Sequence, residues 1–169
     1  MIDTFTGKVW KYGDNINTDV IFPGKYTYQK MEPEEMAKHA LEDLDPDFTS
    51  KVQDGDILVA GKNFGMGSSR EQAPLVLIYS NTHAVIAKSF ARIFYRNAIN
   101  TGLPVVECDT DLIDDGDELD VDLRSGCVKN LTQGTEIPFA PLPPVMEQLL
   151  ADGGLVEHFR KHGGFNLEE

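Results

Sequence analysis

The sequence predicts an α/β fold, a compact mixed sheet with flanking helices, and two observations carry this prediction. From residue 57 to residue 108, short apolar runs alternate with helix-compatible segments in the order strand, helix, strand, helix, strand. This order is typical of parallel crossover units. Further along, residues 118–123 alternate apolar and polar side chains, and a Ser-Gly turn returns the chain into residues 127–131 as an antiparallel hairpin.

The chain before the first crossover unit predicts shorter elements. Residues 8–12 alternate as a first strand, residues 13–19 have the composition of a turn, and residues 20–22 form an apolar triplet typical of a strand. A proline followed by two glutamates marks the start of a helix over residues 33–43. Residues 47–56 are predicted to form a polar connection that leads to the strand at residue 57.

Two helices are predicted between the strands of the crossover units. Pro74 is tolerated only in a first helical turn, so the first helix begins a residue or so before it and runs to residue 79. The second covers residues 89–102, with Ser89 as its N-cap and Gly102 past its end. Its predicted buried face consists of Phe90, Ile93, Phe94, Ala98 and Ile99. A strand over residues 135–139 and helices over residues 145–151 and 155–161 complete the chain.

Length and composition favour a single domain over residues 1–169. Apolar residues make up 41% of the chain, and no apolar run approaches the ~20 residues of a membrane span. The N-terminus lacks the charged and apolar regions of a signal peptide, so we expect a cytoplasmic protein with no membrane partner. A net charge of −13 argues against nucleic acid as a partner.

Positive charge is concentrated in the middle of this acidic chain. Residues 56–107 carry a net charge of +2, which leaves −15 on the remainder. The basic residues of this segment are Lys62, Arg70, Lys88, Arg92 and Arg96. Such a distribution suits a local site for a multiply charged anion, and bases on solvated helix faces are the alternative explanation.

Residues 61–71, here called the glycine-rich loop, follow the strand predicted at residues 57–60. The loop has three glycines, which permit tight turns and a close approach of a ligand to the main chain. The first N–H groups of the following helix and the guanidinium of Arg70 would together attract a carboxylate or phosphate. The pattern therefore predicts an anion site.

The same loop has a second interpretation. Ser68 with Glu71, and Ser69 with Gln72, both have the spacing of a capping box, which satisfies helix N–H groups and nothing more. The loop is neither a Walker A motif nor a dinucleotide-binding fingerprint, because no Lys-Ser/Thr pair follows and the glycine spacing differs. Spacing alone leaves the anion site and the helix cap as alternatives.

The sequence predicts no metal centre in this chain. Cys108 and Cys127 lie far apart without C-x-x-C spacing, and two thiols are fewer than an iron–sulfur cluster requires. His158 and His162 are four residues apart, but two ligands alone do not define a metal site. We expect free thiols and no cofactor bound by this chain.

Three separated segments resemble one protein family. Residues 63–74, NFGMGSSREQAP, closely resemble the signature of the small, swivelling subunit of 3-isopropylmalate dehydratase and homoaconitase, which is similar to the last domain of aconitase. Residues 14–23, DNINTDVIFP, and residues 87–100, AKSFARIFYRNAIN, resemble the same family in the same order. The resemblance extends over roughly residues 5–140 and implies a swivelling β/β/α domain.

The resemblance implies a reversible dehydration and rehydration of a small hydroxy di- or tricarboxylic acid. By motif position, Ser68 would be the base that removes a proton alpha to a carboxylate. Arg70 would clamp a substrate carboxylate bidentately, and Ser69 would add a hydrogen bond to it. A large partner subunit would carry a [4Fe–4S] cluster with one open iron site as Lewis acid, and this chain would close over it.

The resemblance also places a substrate-selecting loop at Tyr26, Thr27, Tyr28 and Gln29, here called the tyrosine loop. Its side chains could hold a modest apolar group against aromatic rings, hydrogen-bond a polar group, or cover an edge of the core. The family often has an arginine or aliphatic residues there, and usually a histidine at the position of Gln72. These departures leave the exact substrate open.

Most specifically, the resemblance implies the small subunit of a 3-isopropylmalate dehydratase, an enzyme of leucine biosynthesis. One alternative is the small subunit of a related hydro-lyase, such as homoaconitase or a substituted-malate dehydratase. Another is a non-catalytic, anion-binding regulatory module of the same fold. Gln72 favours the regulatory module, and the complete Ser68-Ser69-Arg70 triplet argues against it.

Overall fold

A single seven-stranded mixed sheet organises the computed structural model, which describes residues 4–164. In space the strands follow the order β4-β3-β2-β1-β5-β6-β7. Their bounds are β1 Thr4–Lys11, β2 Asp56–Val59, β3 Thr82–Ala87, β4 Val105–Glu107, β5 Glu118–Asp122, β6 Cys127–Asn130 and β7 Thr135–Pro138.

Strand β1 joins a parallel half of the sheet to an antiparallel half. It runs parallel to β2, with Val9 opposite Ile57, and antiparallel to β5, with Phe5 opposite Val121. The pairs β2–β3 and β3–β4 are parallel, whereas β5–β6 and β6–β7 are antiparallel. The predicted α/β fold with a mixed sheet and flanking helices is confirmed.

Seven α-helices are found among the described residues. They are α1 Thr18–Ile21, α2 Pro33–Ala37, α3 Phe48–Lys51, α4 Gln72–Tyr79, α5 Arg92–Thr101, α6 Pro144–Ala151 and α7 Leu155–His162. Within residues 4–164, none of them has the length and apolar character needed to cross a membrane.

Alternation along the parallel strands divides the core into two layers. Leu58 and Val85 face the helices and pack in a cluster with the apolar sides of α4 and α5. Ile57 and Ile86 face the other way and pack in a second cluster with residues of β5, β6 and β7. The antiparallel half therefore curls over the face of the parallel strands that the helices leave uncovered.

Predictions in the N-terminal third are partly wrong. Residues 20–22, predicted as a strand, belong largely to helix α1, because the side chain of Asn17 accepts a hydrogen bond from the N–H of Asp19 and caps this helix. The helix predicted over residues 33–43 ends at Ala37, and Leu41 adopts a positive φ of 56° while its N–H binds the carbonyl of Ile21. The polar connection contains helix α3.

Helix α5 begins later than predicted. Its N-cap is Ala91, which forms no side-chain capping bond, so the assignment of Ser89 as N-cap is wrong. Gly102 ends the helix with a positive φ of 92°, as predicted. Phe94, Ala98 and Ile99 are buried as predicted. Ile93 instead has 51% of its surface exposed and does not belong to the buried face.

Candidate active site

The glycine-rich loop connects β2 to α4 at the carboxyl ends of the parallel strands, where ligands of such sheets usually bind. Main-chain hydrogen bonds fasten it to the segment that follows β1. The N–H of Asn15 binds the carbonyl of Lys62 at 2.8 Å, and the N–H of Thr18 binds the carbonyl of Met66 at 2.9 Å. The N–H of Gly65 binds the carbonyl of Ile16 at 2.8 Å.

A second set of contacts joins the loop to the start of α5. The N–H of Phe64 donates to the carbonyl of Ser89 at 3.0 Å, and the N–H of Ala91 donates to the carbonyl of Phe64 at 2.9 Å. The hydroxyl of Ser89, rather than capping α5, accepts from the N–H of Asn63 at 2.8 Å. The other two segments that resemble the family are therefore both in direct contact with the glycine-rich loop.

Gly65 shows why a glycine is required at this crossing. Its φ is +82°, a region that residues with a side chain rarely adopt, and a Cβ atom there would overlap the ring of Phe94. That ring packs edge-on against Phe64, with ring centroids 5.1 Å apart. The backbone of the loop thus lies directly on the aromatic side of α5.

Ser68 and Ser69 lie exposed at the end of this rigid loop. Helix α4 begins only at Gln72, with Glu71 as N-cap and no side-chain capping bond, so the capping-box interpretation is wrong. Within residues 4–164, neither serine hydroxyl nor the N–H groups of these two residues form a hydrogen bond. Both residues therefore present donors to solvent.

The position of Ser68 is fixed through its main chain. Its carbonyl accepts a hydrogen bond from the buried hydroxyl of Thr18 at 3.0 Å. Lys88 lies on the neighbouring strand end, but its ammonium binds Asp111 at 2.7 Å and this hydrogen bond raises the pKa of Lys88. Because Lys88 stays protonated, it is unsuited to act as a base itself.

Arg70 differs from the serines because it points into the domain, with only 8% of its surface exposed. Its Nη1 donates to the carboxylate of Asp19 at 2.6 Å and to the carbonyl of Phe22 at 2.9 Å. Its Nη2 donates to the hydroxyl of Thr27 at 2.7 Å. Arg70 therefore links the glycine-rich loop, the N-terminal segment and the tyrosine loop.

The predicted bidentate clamp has to use the donors of Arg70 that remain. A guanidinium has five N–H donors, and the three contacts above occupy two on Nη1 and one on Nη2. The Nε of Arg70 is buried and has no hydrogen-bond partner among the described residues. Nε and one N–H of Nη2 therefore remain unpaired among the described residues, and because Nε is shielded from solvent, a carboxylate could reach it only after the surrounding residues move.

The tyrosine loop divides into an inward and an outward part. The hydroxyl of Tyr26 donates to Glu42 at 2.9 Å, and this hydrogen bond raises the pKa of Tyr26. Its ring stacks on His39 with centroids 4.1 Å apart, so Tyr26 covers an edge of the core. Tyr28 is 98% exposed and makes the loop's outermost surface.

A cavity of about 400 Å³ lies behind the tyrosine loop. Apolar side chains of Phe22, Met31 and Met36 line it together with polar groups that include Gln29 and Gln72. The side-chain amide of Gln72 donates to the carbonyl of Thr27 at 3.4 Å. The residue that departs from the family's usual histidine therefore helps to hold the same loop that Arg70 holds.

Sequence reasoning missed Asp19, the carboxylate that binds Arg70. The signal available is its position in the turn predicted over residues 13–19 and in the family motif of residues 14–23. The basic residues of the middle segment do not all converge: Arg92 and Arg96 line a separate groove between α5 and α6 with Glu107. Of the five, Arg70 lies at the centre of the site.

Comparisons with known proteins define first the class and then the group within it. The family model described as the aconitase C-terminal domain matches residues 5–110. The chain therefore belongs to the aconitase C-terminal domain family. Within it, this chain is 58% identical to a 3-isopropylmalate dehydratase small subunit 2 from Archaeoglobus fulgidus, a match that covers 95% of this chain and 98% of the relative.

Two further relatives are similar over most of their length. A methanogen homoaconitase small subunit from Methanothermobacter thermautotrophicus is 54% identical, covering 92% of this chain and 90% of the relative. The crystal structure of a 3-isopropylmalate dehydratase from Methanocaldococcus jannaschii superposes with a TM-score of 0.90 at 43% identity, covering 95% of each chain. The resemblance to these small subunits, first recognised in three motifs, is confirmed.

Proposed function

We propose that this chain is the small subunit of a heteromeric hydro-lyase that isomerises 3-isopropylmalate in leucine biosynthesis. The names of its relatives support the assignment. The observation that carries it is the arrangement of two exposed serines on a rigid loop, next to a buried arginine whose Nε has no partner among the described residues. The proposal treats residues 1–169 as one functional domain that acts in the cytoplasm.

In this proposal, Arg70 and Ser69 bind one substrate carboxylate, and Ser68 is the base that removes the proton alpha to it. The Nε–Nη2 edge of Arg70 and the hydroxyl of Ser69 donate to the carboxylate, because a guanidinium edge matches the two oxygens. Ser68 Oγ first releases its own proton to solvent, and the unpaired N–H groups of the loop and the positive end of α4 stabilise the resulting alkoxide. The alkoxide then takes the alpha proton and becomes a hydroxyl again. Asp19, Phe22 and Thr27 keep Arg70 in place and leave Nε and one N–H of Nη2 for the carboxylate.

The proposal assigns the [4Fe–4S] cluster to the large partner subunit. This chain has two cysteines, which is too few for a cluster. Burial, with a smaller contribution from Asp109, raises the pKa of the Cys108 thiol to about 12, so this thiol remains protonated. The donors of this chain do not fit the group, and its own residues contribute substrate binding and proton transfer.

Homoaconitate is the second candidate substrate, because one relative is a methanogen homoaconitase small subunit. The cavity behind the tyrosine loop is lined by apolar and by polar side chains, and either kind could discriminate between 3-isopropylmalate and homoaconitate. Phe22, Met31 and Met36 suit an isopropyl group, whereas Lys30 and Gln72 suit an additional carboxylate. The lysine is exposed and the apolar residues are more enclosed, which favours the isopropyl group.

The first experiment is an anaerobic affinity purification of the full chain from its native extract, with partner mass, iron and sulfide recorded. We expect a larger partner that carries iron and sulfide. The purified complex is then assayed with 3-isopropylmalate, homoaconitate and other substituted malates. Recovery of the chain alone, or with an iron-free partner, would favour the anion-binding regulatory module.

A pair of serine variants tests the roles within that complex. Ser68→Ala removes the proposed base and should lower kcat by ~100-fold or more, with assembly unchanged. Ser69→Ala removes a binding contact and should mainly raise KM. Equal kcat in the Ser68→Ala variant and the unmodified complex would contradict the base assignment.

A further inference from the structure

Three potential metal ligands meet at the junction of the last two helices, far from the glycine-rich loop. Asp152 follows the end of α6, and His158 and His162 lie one turn apart on α7. One potential ligand atom from each residue lies within 4.8 Å of the others. The sequence shows only the two histidines as a pair, because Asp152 joins them through the turn between the helices.

The distances between the potential ligand atoms of this group are close to the distances between neighbouring ligand atoms in a metal site. Asp152 Oδ2 lies 2.7 Å from His158 Nδ1 and 3.0 Å from His162 Nε2. A tetrahedral zinc ion holds imidazole nitrogen and carboxylate oxygen at about 2.0–2.2 Å, which places neighbouring ligand atoms roughly 3.3 Å apart. The three side chains would have to separate by only a few tenths of an ångström to admit the ion.

Burial holds this arrangement in place. The side chain of His158 is fully buried, that of Asp152 is 5% exposed and that of His162 is 27% exposed. Lys161 donates to the other carboxylate oxygen of Asp152 at 2.9 Å, which orients the carboxylate and leaves Oδ2 directed at the two rings. Such hydrogen bonds to a metal-binding carboxylate are typical of natural metal sites.

The exposed side of the group opens into a cavity. His162, Asp152 and Lys161 line it together with Arg124 and Glu147, and its volume is about 440 Å³. Among residues 4–164, this cavity leaves room beside His162 for a fourth ligand of a metal ion held by the three side chains. Three protein ligands with one open position is an arrangement that zinc commonly adopts.

We propose that Asp152, His158 and His162 form a binding site for a divalent transition-metal ion, with Zn²⁺ as the ion that best fits two imidazoles and one carboxylate. Each ring binds through the nitrogen that faces Asp152, and the shared proton of each hydrogen bond is displaced by the metal. The site fastens α7 to the end of α6. The proposed metal site is independent of the proposed hydro-lyase function. The turn that carries Asp152 lies against the carboxyl end of α5, and the glycine-rich loop lies against the amino end, so the length of α5, about 15 Å, separates them.

The test uses the full chain, freed of metal with a chelator and then titrated with Zn²⁺. We expect one zinc per chain to survive gel filtration and Tm to rise by roughly 5–10 °C when free zinc exceeds Kd by 100-fold. Co²⁺ in place of Zn²⁺ should give the strong visible absorption of a tetrahedral site.

Two variants and a control locate the binding. His162→Ala, at a partly exposed position, should keep the fold and lose zinc retention, the rise in Tm and the cobalt spectrum. Asp152→Asn should lose them as well. His39→Ala removes a histidine that lies between two glutamates elsewhere and should retain all three signals. Retention below one zinc per two chains, or equal retention in the His162→Ala variant, would overturn the proposal and leave a hydrogen-bonded helix junction.

Discussion

The two loops that Arg70 connects are held in place by different kinds of contact. Main-chain hydrogen bonds fasten the glycine-rich loop to residues 13–18 and 89–91. The main-chain bonds of the tyrosine loop instead remain within residues 23–29, and its distant contacts pass through side chains. Main-chain contacts persist through most substitutions, whereas side-chain contacts change with sequence. Under the proposed function, the proton-transfer and carboxylate-binding residues therefore lie on the glycine-rich loop, which main-chain bonds fix, and the substrate-selecting residues lie on the tyrosine loop, whose contacts can change with sequence.

Arg70→Lys breaks the connection between the loops and should have the largest effect. A lysine keeps the charge but cannot reach Asp19, Phe22 and Thr27 at once, nor offer a flat edge to a carboxylate. We expect kcat/KM of the assembled enzyme to fall by about 100- to 1,000-fold, since one preorganised donor is typically worth that much. Steady-state kinetics on the complex, with Arg160→Lys on the surface of α7 as control, measure the effect. Near-normal turnover would remove Arg70 from the carboxylate site.

Gly65→Ala tests the packing of the glycine-rich loop where its backbone lies against Phe94. The substitution forces a residue with a side chain into the left-handed conformation, and its Cβ overlaps the ring of Phe94. Together these effects should reduce the free energy of unfolding by about 3 kcal/mol. Gly134→Ala is the matched control, because Gly134 has a similar φ of +73° and open space around it, so only about 1 kcal/mol should be lost. Urea denaturation compares them. Equal losses would mean that the contact with Phe94 is not tight.

Thr27→Val removes the hydrogen bond that joins the tyrosine loop to Arg70. The Nη2 of Arg70 loses its acceptor, and the free energy of unfolding should fall by about 1–2 kcal/mol because a charged donor is left unsatisfied. Tyr28→Ala, at a side chain that is 98% exposed, should change it by less than about 0.5 kcal/mol. Chemical denaturation of both variants measures the difference. A Thr27→Val variant as stable as Tyr28→Ala would show that Arg70 finds another acceptor.

Lowering the pH should destabilise the tyrosine loop and leave the stability of the glycine-rich loop unchanged. Burial raises the pKa of Glu42, but hydrogen bonds from His39 and Tyr26 outweigh this and leave the pKa lowered. The stabilisation by Glu42 is therefore complete above its unfolded pKa of about 4.3 and is lost as pH falls through the lower folded value. Amide exchange, expressed as protection factors, should show lower protection of residues 25–29 at pH 3 than at pH 6.

The glycine-rich loop should keep its protection over the same range, and Glu42→Gln should abolish the pH dependence of the tyrosine loop. Parallel loss of protection in both loops would show that Arg70 couples them more strongly than their separate contacts indicate.

Much of the fold could be predicted from the sequence, because the crossover units have clear periodicity. The strands and helices from β2 to β7 agree with the sequence prediction to within a few residues. Helix α1 could not be predicted from the apolar triplet, because one side-chain cap from Asn17 outweighs the strand tendency of three residues. Likewise, Ser89 is a residue type that is common at N-caps, but its hydroxyl accepts a hydrogen bond from the N–H of Asn63, which is distant in sequence.

The site could be predicted only in part. The motif predicts which side chains would carry the proposed chemistry. The partners of Arg70 are 43 to 51 residues away and depend on how the segments fold together. The capping box fails for the same kind of reason, because contacts of the loop with residues 13–18 and 89–91 set its path, and Glu71 rather than a serine is the N-cap of α4. The role of each site residue stays a prediction until the variants above are measured.

The place of β1 between the two halves of the sheet has a consequence for synthesis on the ribosome. β1 pairs on one side with β2 and on the other with β5, which ends at Asp122. While the nascent chain is shorter than this, a parallel half that has already formed leaves β1 as an open edge, to which another chain could add. Lys8 and Lys11 on β1 place positive charge along that edge. Replacing the exposed Lys8 with an apolar residue should leave the finished fold intact and increase aggregation during translation. Lys11 is unsuited to this test, because its ammonium donates to the carbonyls of Thr110 and Ile113.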